Sequence, residues 1–545
     1  MAWLTFALAH HHNPLWTTFL SPPGHPIDLM RNNAVPIWGM VMMPLTLLAG
    51  GLASFNVAMV LALATGPVAA ALVLERYVIR APIAWVSGLL YGFSPFALAE
   101  ADLGHLPWVR LWFPPLVLAL LDEALIRQRR NPYGVGALLG LLVGVQLLIN
   151  QESVATAALL AAIMISLLLA THPSALRRRW ADSVRTLGTA VAIAVAISAP
   201  ALWAEFLGPG HMVSGPDLSP AVFSGDLLGF VLPGSHQLLS SAWSSATVKR
   251  FTGDSADTTV YLGLPLLFAL SVGWMRYRAD PRIRWTVILT VVSMVLTLGA
   301  RLHVAGTIFP IPLPWTVLER LPLLRLAPPS RIALFATLGA TMCLCLVADR
   351  LASSGRVLGM ATAITLLAAS FVFLAPESAL YSQRLQVPAL FVAQRYRAAV
   401  PGGYLALAPV PTGSQATAML WQMDSHFRFQ LPWGYVIQAG PHGHAVVSSP
   451  TNALIAGIDA AAEGRAPSPS VTAMALGLLQ EWRIRAVAVG PMAGHGGVIA
   501  WLTAALDRQP AWYGSVAVWR AECAAHPGAG RPGARPLRCI GPRLW

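Results

Sequence analysis

The sequence predicts an α-helical polytopic membrane protein of about ten spans, carrying a C-terminal extracytoplasmic α/β domain. Three observations lead there. Ten apolar stretches lie at 54–75, 83–99, 107–126, 133–149, 153–171, 186–207, 259–275, 285–300, 332–348 and 357–375. Most have the roughly 17–25 residues that a ~30 Å hydrocarbon core requires. Short arginine-rich loops fill every second gap between them. Beyond residue 375 the composition changes to that of a water-soluble domain. With 56% hydrophobic and 11% charged residues and a mean hydropathy of +0.61, the chain as a whole is excluded from the ordinary soluble class.

The arginines set the expected orientation. Arg76 and Arg80 follow the first stretch, and Arg127, Arg129 and Arg130 the third. Arg177, Arg178, Arg179 and Arg185 follow the fifth, Arg276, Arg278, Arg282 and Arg284 the seventh, and Arg350 and Arg356 the ninth. The short gaps at 100–106 and 150–152 carry no Lys or Arg. By the positive-inside rule the basic loops are cytoplasmic. Residues 1–53, 100–106, 150–152, 208–258, 301–331 and all that follows 375 then face the other side. Much of the formal net charge of +13 is explained by these loops, which would face anionic lipid headgroups, so it is no nucleic-acid signature.

The domains predicted are 1–53, an outer loop with an interfacial juxtamembrane helix; 54–375, the transmembrane domain; and 376–545, the extracytoplasmic α/β domain with a Gly/Pro/Arg-rich tail. Residues 34–50 are short for a span and broken by Pro36 and Pro44; counting them as a crossing would invert the arginine pattern, so a helix in the outer interface is expected. An N-terminus outside with no preceding span, and with no basic leader before it, reads as an internal start. In the last domain 404–411, 485–490 and 514–521 read as strands, and 413–422, 471–482 and 496–509 as helices. That alternation predicts a partly parallel sheet covered by helices. Cys343 and Cys345 fall inside a span as lipid-facing or packed residues, while Cys523 and Cys539 could close a disulfide in an oxidising compartment.

Polar residues at the span ends are the candidate site. Glu100, Asp102 and His105 fall between two spans at the outer mouth, with Arg110 just inside the next. Two carboxylates and an imidazole there could hold an acceptor hydroxyl, a metal or a phosphate; an ordinary solvated turn is the plainer reading. Glu152, beside Asn150 and Gln151, is either a hairpin cap or a second such point. The outer loop before the first span concentrates His10, His11, His12, His25, Asp28, Arg31 and Asn32. Adjacent histidines point apart and lack ligand spacing, so no metal site is assigned. Arg301, His303 and Arg331 gather at the outer ends of the eighth and ninth spans, where a lipid-linked phosphate is a natural partner and snorkelling the alternative.

The segments SFNVAMVLALATGPVAAALVL (54–74) and LLYGFSPFALAEADLGHL (89–106) resemble the membrane half of bacterial GT-C-fold glycosyltransferases. The stretch from Asn13 to Gly51 resembles the juxtamembrane helices of their first outer loop, and AMLWQMDSHFRFQLPWGY (418–435) is similar to a segment of an actinobacterial-type branch. The resemblance implies transfer of a sugar from a polyprenyl-phosphate donor to an acceptor outside a bacterial plasma membrane: an envelope glycan, a lipid or a protein. It implies an acidic base or metal contact soon after the first span. This chain departs there, because its first acidic residue is Asp28. Asp28, Glu100 or Asp102 is the expected base and His105 a hydroxyl or phosphate contact; Arg31, Arg301 and Arg331 are the expected phosphate contacts, with Asn32 and Glu152 as further substrate contacts. The resemblance leaves the cofactor open, a divalent cation among the options. A non-catalytic scaffold, or a binder or transporter of lipid-linked glycan, is the alternative.

Overall fold

The computed structural model describes residues 1–171, 180–213, 222–321, 324–378, 380–400, 402–413, 415–447 and 451–521. The chain divides into two compact units: Met1–Leu52 with Leu202–Pro216 and Gln383–Trp545, and Ala53–Ala201 with Asp217–Ser382. Cys523 and Cys539 lie outside the described residues, as does the Gly/Pro/Arg-rich tail.

Every one of the ten apolar stretches carries a helix in the second unit or at its edge. Among the described residues, five are long and apolar enough to cross a membrane: Met43–Leu74, Gln151–Thr171, Trp180–Leu207, Pro329–Ala352 and Val357–Leu374. The bent pair Ala81–Gly92 and Pro95–Asp102 makes a sixth if counted as one span. Length and composition therefore do not by themselves establish the expected ten. Phe113–Asp122, Pro132–Leu147, Gly263–Tyr277 and Pro281–Thr297 are shorter, and at 1.5 Å per residue a helix of about 15 residues spans only some 22 Å.

Ala333–Ala352 is the axis of this bundle. It is buried from Ala333 to Asp349, and packs against Pro281–Thr297, Val357–Leu374, Gly263–Tyr277 and Ala81–Gly92. A helix apolar on all sides is stable only when surrounded. Gly339 lets Thr290 approach so closely that a Cβ there would meet its hydroxyl at 2.3 Å. Cys343 and Cys345 are buried in this helix, which settles them as packed rather than lipid-facing.

In the first unit the expected interfacial helix at 34–50 is two pieces. Pro36–Val41 ends at Met42, and the next helix, which starts at Met43, is interrupted at Gly50, whose φ of +85° breaks the helical path. Met40, Val41, Leu47 and Leu48 are exposed along these pieces, an apolar face suited to an interface. The C-terminal sheet runs Leu405–Ala408, Ala486–Val489, Val516–Arg520, Ala511–Tyr513 in spatial order. The first pair is parallel and the rest antiparallel, as the alternation of helices and strands predicts. Alternate residues feed two cores, Leu405, Leu407, Ala486 and Ala488 on one face, Ala406, Ala408, Val487 and Val489 on the other. Burial on both faces explains why these strands read as unbroken apolar runs. The N-terminal loop is tied into this unit, since the Asn32 amide donates to the Ile437 carbonyl at 2.7 Å and accepts from its N–H at 2.6 Å.

Candidate functional site: a buried charge cluster

Glu100 lies near the end of helix Pro95–Asp102, and the way that helix stops places its partner. The Gly104 N–H donates to the Ala101 carbonyl at 3.0 Å and the His105 N–H to the Glu100 carbonyl at 2.9 Å. This is the double closure of a helix that ends on a left-handed residue, here Gly104 with φ +72°. The chain folds back, and His105 Nδ1 meets Glu100 Oε2 at 2.7 Å. Glu100 is 1% exposed, whereas the His105 side chain is 30% exposed. With Nδ1 donating to the carboxylate, the other ring nitrogen is left as an acceptor on the accessible side of the pair.

Three further elements bring charges to the same place. Glu152 occupies the first turn of helix Gln151–Thr171, where the helix dipole favours a carboxylate. Asn150 caps that turn by accepting from the Ser153 N–H at 2.9 Å. Arg331, in the 3-10 turn that opens the central helix, donates to Glu152 Oε2 at 2.6 Å and stacks over Trp108 at 4.2 Å. Trp108 Nε1 points to the same carboxylate oxygen at 3.4 Å. Arg110 is 2% exposed and feels the charges of Glu152 and Glu100. Asp257 caps nothing itself: it belongs to the short helix Ser255–Thr258, whose cap is Asp254. Its carboxylate accepts from Ser330 Oγ at 2.6 Å. Burial pushes the Asp257 carboxyl up to about 6, with the Asp254 charge adding to it and the Ser330 bond and Arg331 opposing.

The cluster thus holds Glu100, Glu152 and Asp257 against Arg110 and Arg331, with His105 at its edge. Its bonding is incomplete. Glu152 Oε1, Asp257 Oδ2, Arg110 Nε and Arg331 Nε are all buried with no hydrogen-bond partner. Unpaired polar atoms inside a protein cost about 1–3 kcal/mol each, and so call for a reason.

The sequence-predicted residues distribute unevenly. Glu100, His105, Glu152 and Arg331 come together. Asp102 does not join them, because residues two apart on a helix point about 200° apart. It instead lines a cleft of about 250 Å³ with Pro95, Leu98, Ala99, His236, Gln237, Leu374, Pro376, Ser378, Leu380 and Tyr381. Arg301 is exposed on the hairpin of Arg301–Val304 and Thr307–Pro312, away from the cluster's contacts. His303 on the same hairpin is buried against Thr252 at 3.3 Å, and that burial lowers its pKa.

Asp28, Arg31 and Asn32 belong to the first unit and form a second, smaller arrangement there. Asp28 is 1% exposed; one carboxylate oxygen accepts from the Met30 N–H at 2.8 Å and the other is buried without a partner. Burial drives its carboxyl up to about 6; the Met30 N–H opposes this, while the nearby Glu205 charge adds to it and Arg31 opposes. Arg31 itself pairs with Glu205 at 3.2 Å and lies over Phe206 at 5.1 Å. Asn32 is engaged by the backbone of Asp28 and Ile437.

Asp257 and Glu205 were not singled out from the sequence. Asp257 sits just before the stretch that begins at 259, with no motif of its own, and Glu205 near the end of the apolar stretch 186–207. Among the described residues no group of three or more His, Cys, Asp or Glu side chains could hold a metal ion.

No protein-family model and no curated protein matches the chain. Among solved structures, the Archaeoglobus fulgidus oligosaccharyltransferase, tethered with an acceptor peptide through a disulfide, is similar over 93% of this chain and 67% of its own. The identity is 12% and the TM-score 0.39, a likeness too slight to carry functional weight.

Proposed function

We propose that the protein is a membrane glycosyltransferase of the GT-C type, moving a sugar from a polyprenyl-phosphate donor to an acceptor outside the bacterial plasma membrane. The observation that supports this reading is the accessible His105, oriented by the buried Glu100 and set beside the incomplete Arg331–Glu152–Arg110 group. His105 takes the proton of an acceptor hydroxyl as that oxygen attacks the anomeric carbon. Glu100 orients the ring and offsets the imidazolium that forms, the part a carboxylate takes in other histidine-based sites. The bond from the anomeric carbon to the phosphate oxygen breaks, and its electron pair leaves with the polyprenyl phosphate. Arg331 and Arg110, each with a buried unpaired Nε, meet that charge. Asp28 in the first unit, an acid with an elevated pKa, is the other candidate base.

In this reading all ten stretches cross, the arginine loops are cytoplasmic, and the C-terminal domain is extracytoplasmic. Cysteine labelling tests that part. Arg129→Cys, in a basic loop, should react only from the cytoplasmic side, and Ala473→Cys, on an exposed helix position, only from outside.

The enzymatic part is tested by sugar transfer from polyprenyl-phosphate donors in membranes. His105→Ala should lower the rate by about 10²–10⁴-fold, the typical worth of a positioned base. Full activity in His105→Ala together with loss in Asp28→Ala would move the base to the first unit. Donor binding with no transfer by the unaltered chain would favour a scaffold instead.

A further inference from the structure

Helix Pro95–Asp102 serves two places at once. Glu100 faces the charge cluster, while Asp102 opens onto the cleft of about 250 Å³. Its lining mixes apolar Pro95, Leu98, Leu374 and Pro376 with polar Asp102, His236 and Gln237. Leu374 is the last residue of a helix long and apolar enough to cross a membrane, and Pro95–Asp102 closes the bent apolar pair. The cleft therefore lies where the ends of apolar helices meet polar side chains.

The charges decide what fits. Among the described residues no Lys or Arg lines the cleft and Asp102 is its one carboxylate, accepting from the Tyr381 N–H. The Gln237 side chain is already used on the Gly234 N–H at 2.7 Å. An anionic phosphate would meet a carboxylate and neither Lys nor Arg there, the reverse of the arginine-containing cluster. A headgroup with hydroxyl donors meets an acceptor in Asp102, and an attached chain meets Pro95, Leu98, Leu374 and Pro376. At about 250 Å³ the cleft falls just short of the ~300–1,000 Å³ usual for small-molecule sites, a size for a headgroup and not for a whole lipid.

We infer that this cleft binds a neutral amphiphile with a hydroxyl-bearing headgroup, and that the donor phosphate is excluded from it. Its identification as the acceptor lipid rests on the glycosyltransferase reading; the binding itself does not. Placed on the opposite face of the helix that carries Glu100, it separates a phosphate-free lipid from the phosphate-bearing one by charge alone.

The test is lipid retention by the full-length protein in detergent, read by native mass spectrometry. The probes are a monohexosyl diacylglycerol, phosphatidylglycerol and phosphatidylethanolamine. The unaltered protein should retain the hexosyl lipid and discriminate against phosphatidylglycerol by tenfold or more. Leu98→Trp and Leu380→Trp, the second at an exposed position, fill the cleft and should each cut retention of the hexosyl lipid tenfold. Asp102→Arg should reverse the preference toward phosphatidylglycerol. Equal retention of both lipids, or retention unmoved by both Trp variants, overturns the inference. His105→Ala should keep binding while losing transfer. If no form transfers sugar yet hexosyl lipid retention still follows Leu98 and Asp102, the glycosyltransferase reading fails and the lipid site stands.

Discussion

The two ends of the helical unit use the same residue types to different purposes. At the end where the arginine loops gather, acids are saturated. Glu123 takes Arg76 at 3.3 Å and the N–H groups of Arg129 and Arg130 at 2.7 and 3.1 Å. Asp122 takes Tyr77 at 2.8 Å and Arg127 at 2.6 Å; Asp280 takes Arg282 at 2.9 Å and Arg350 at 2.6 Å. Asp349 caps the backbone of Ile79 and Arg80 at 3.1 Å each. The bonds of Arg76 to Glu123, Tyr77 to Asp122, Arg350 to Asp280, and Ile79 and Arg80 to Asp349 tie one loop to another. At the other end, Glu152, Asp257, Arg110 and Arg331 keep buried atoms with no partner. Ion pairs that complete one another hold the loops; the incomplete ones are those that the proposed glycosyltransferase reading assigns to the substrate.

The largest expected contrast is in stability. Arg331→Met leaves Glu152 partly buried and short of its main partner, and breaking a buried pair from one side typically costs about 3–5 kcal/mol. Arg350→Met removes a half-exposed arginine from Asp280, which keeps Arg282, and exposed pairs are worth about 1 kcal/mol or less. Denaturant unfolding in detergent should separate the two variants clearly. Equal costs would erase the distinction between the ends.

Much of this contrast was legible in the sequence, and the remainder was not for identifiable reasons. The apolar stretches located the long helices of the bundle, reading as one stretch at 83–99 what the structure divides into Ala81–Gly92 and Pro95–Asp102, and boundary position alone picked out Glu100, His105, Glu152 and Arg331. It could not tell Arg331, at the start of the buried central helix, from Arg301, on an exposed hairpin, because each sits one residue outside an apolar stretch. The split of Glu100 from Asp102 was in principle readable, since 100° per residue sends them to opposite faces. Asp257 was out of reach. Its importance comes from Ser330 and Arg331, more than seventy residues away, and no local pattern announces a tertiary contact. The three strands and three helices read in the C-terminal domain coincide with elements of the structure for the opposite reason, being short-range alternations, while the helix Ala453–Ala462 and the strand Ala511–Tyr513 were not read.

A pH series sharpens the comparison, because the two ends should respond with opposite sign. Asp257 has a folded pKa of about 6 against an ordinary 3.8, so the folded state binds its proton more tightly. Stability from this group is greatest below about pH 4, declines as pH rises toward 6 and is flat above. A shift of about two units is roughly 3 kcal/mol at most. Asp280 is the reverse: burial alone would raise it, but the Arg282 and Arg350 bonds outweigh that and hold it near 2. Its contribution is present above about pH 4 and is lost as pH falls toward 2, about 1 kcal/mol after solvent screening. Melting curves of Asp257→Asn should therefore gain over the unaltered protein at pH 7 and match it at pH 4. Those of Asp280→Asn should lose at pH 7 and converge in acid. Slopes of the same sign would mean that Asp257 finds a partner the cluster does not provide.

The smallest change tests how the incomplete end is held in place. Gly104 has no neighbour closer than the Phe55 ring at 3.8 Å, so an added Cβ meets no obstacle there. Its φ of +72° is nevertheless a conformation that costs a residue with a Cβ about 1 kcal/mol. Asn tolerates that region better than Ala, and Val worse. If the left-handed turn is what lays His105 on Glu100, transfer should fall in the order Gly, Asn, Ala, Val. The Ala variant should lose about tenfold, since displacing a reacting group by 1 Å can cost up to about 10²-fold. Unfolding stability should change by only about 1 kcal/mol across Gly, Asn and Ala, because Arg331, Glu152 and Trp108 do not depend on the turn. A rate that ignored this series while His105→Ala still abolished it would show that His105 reaches its place by another route. A stability that collapsed with Gly104→Ala would mean that the turn supports the bundle and not the imidazole.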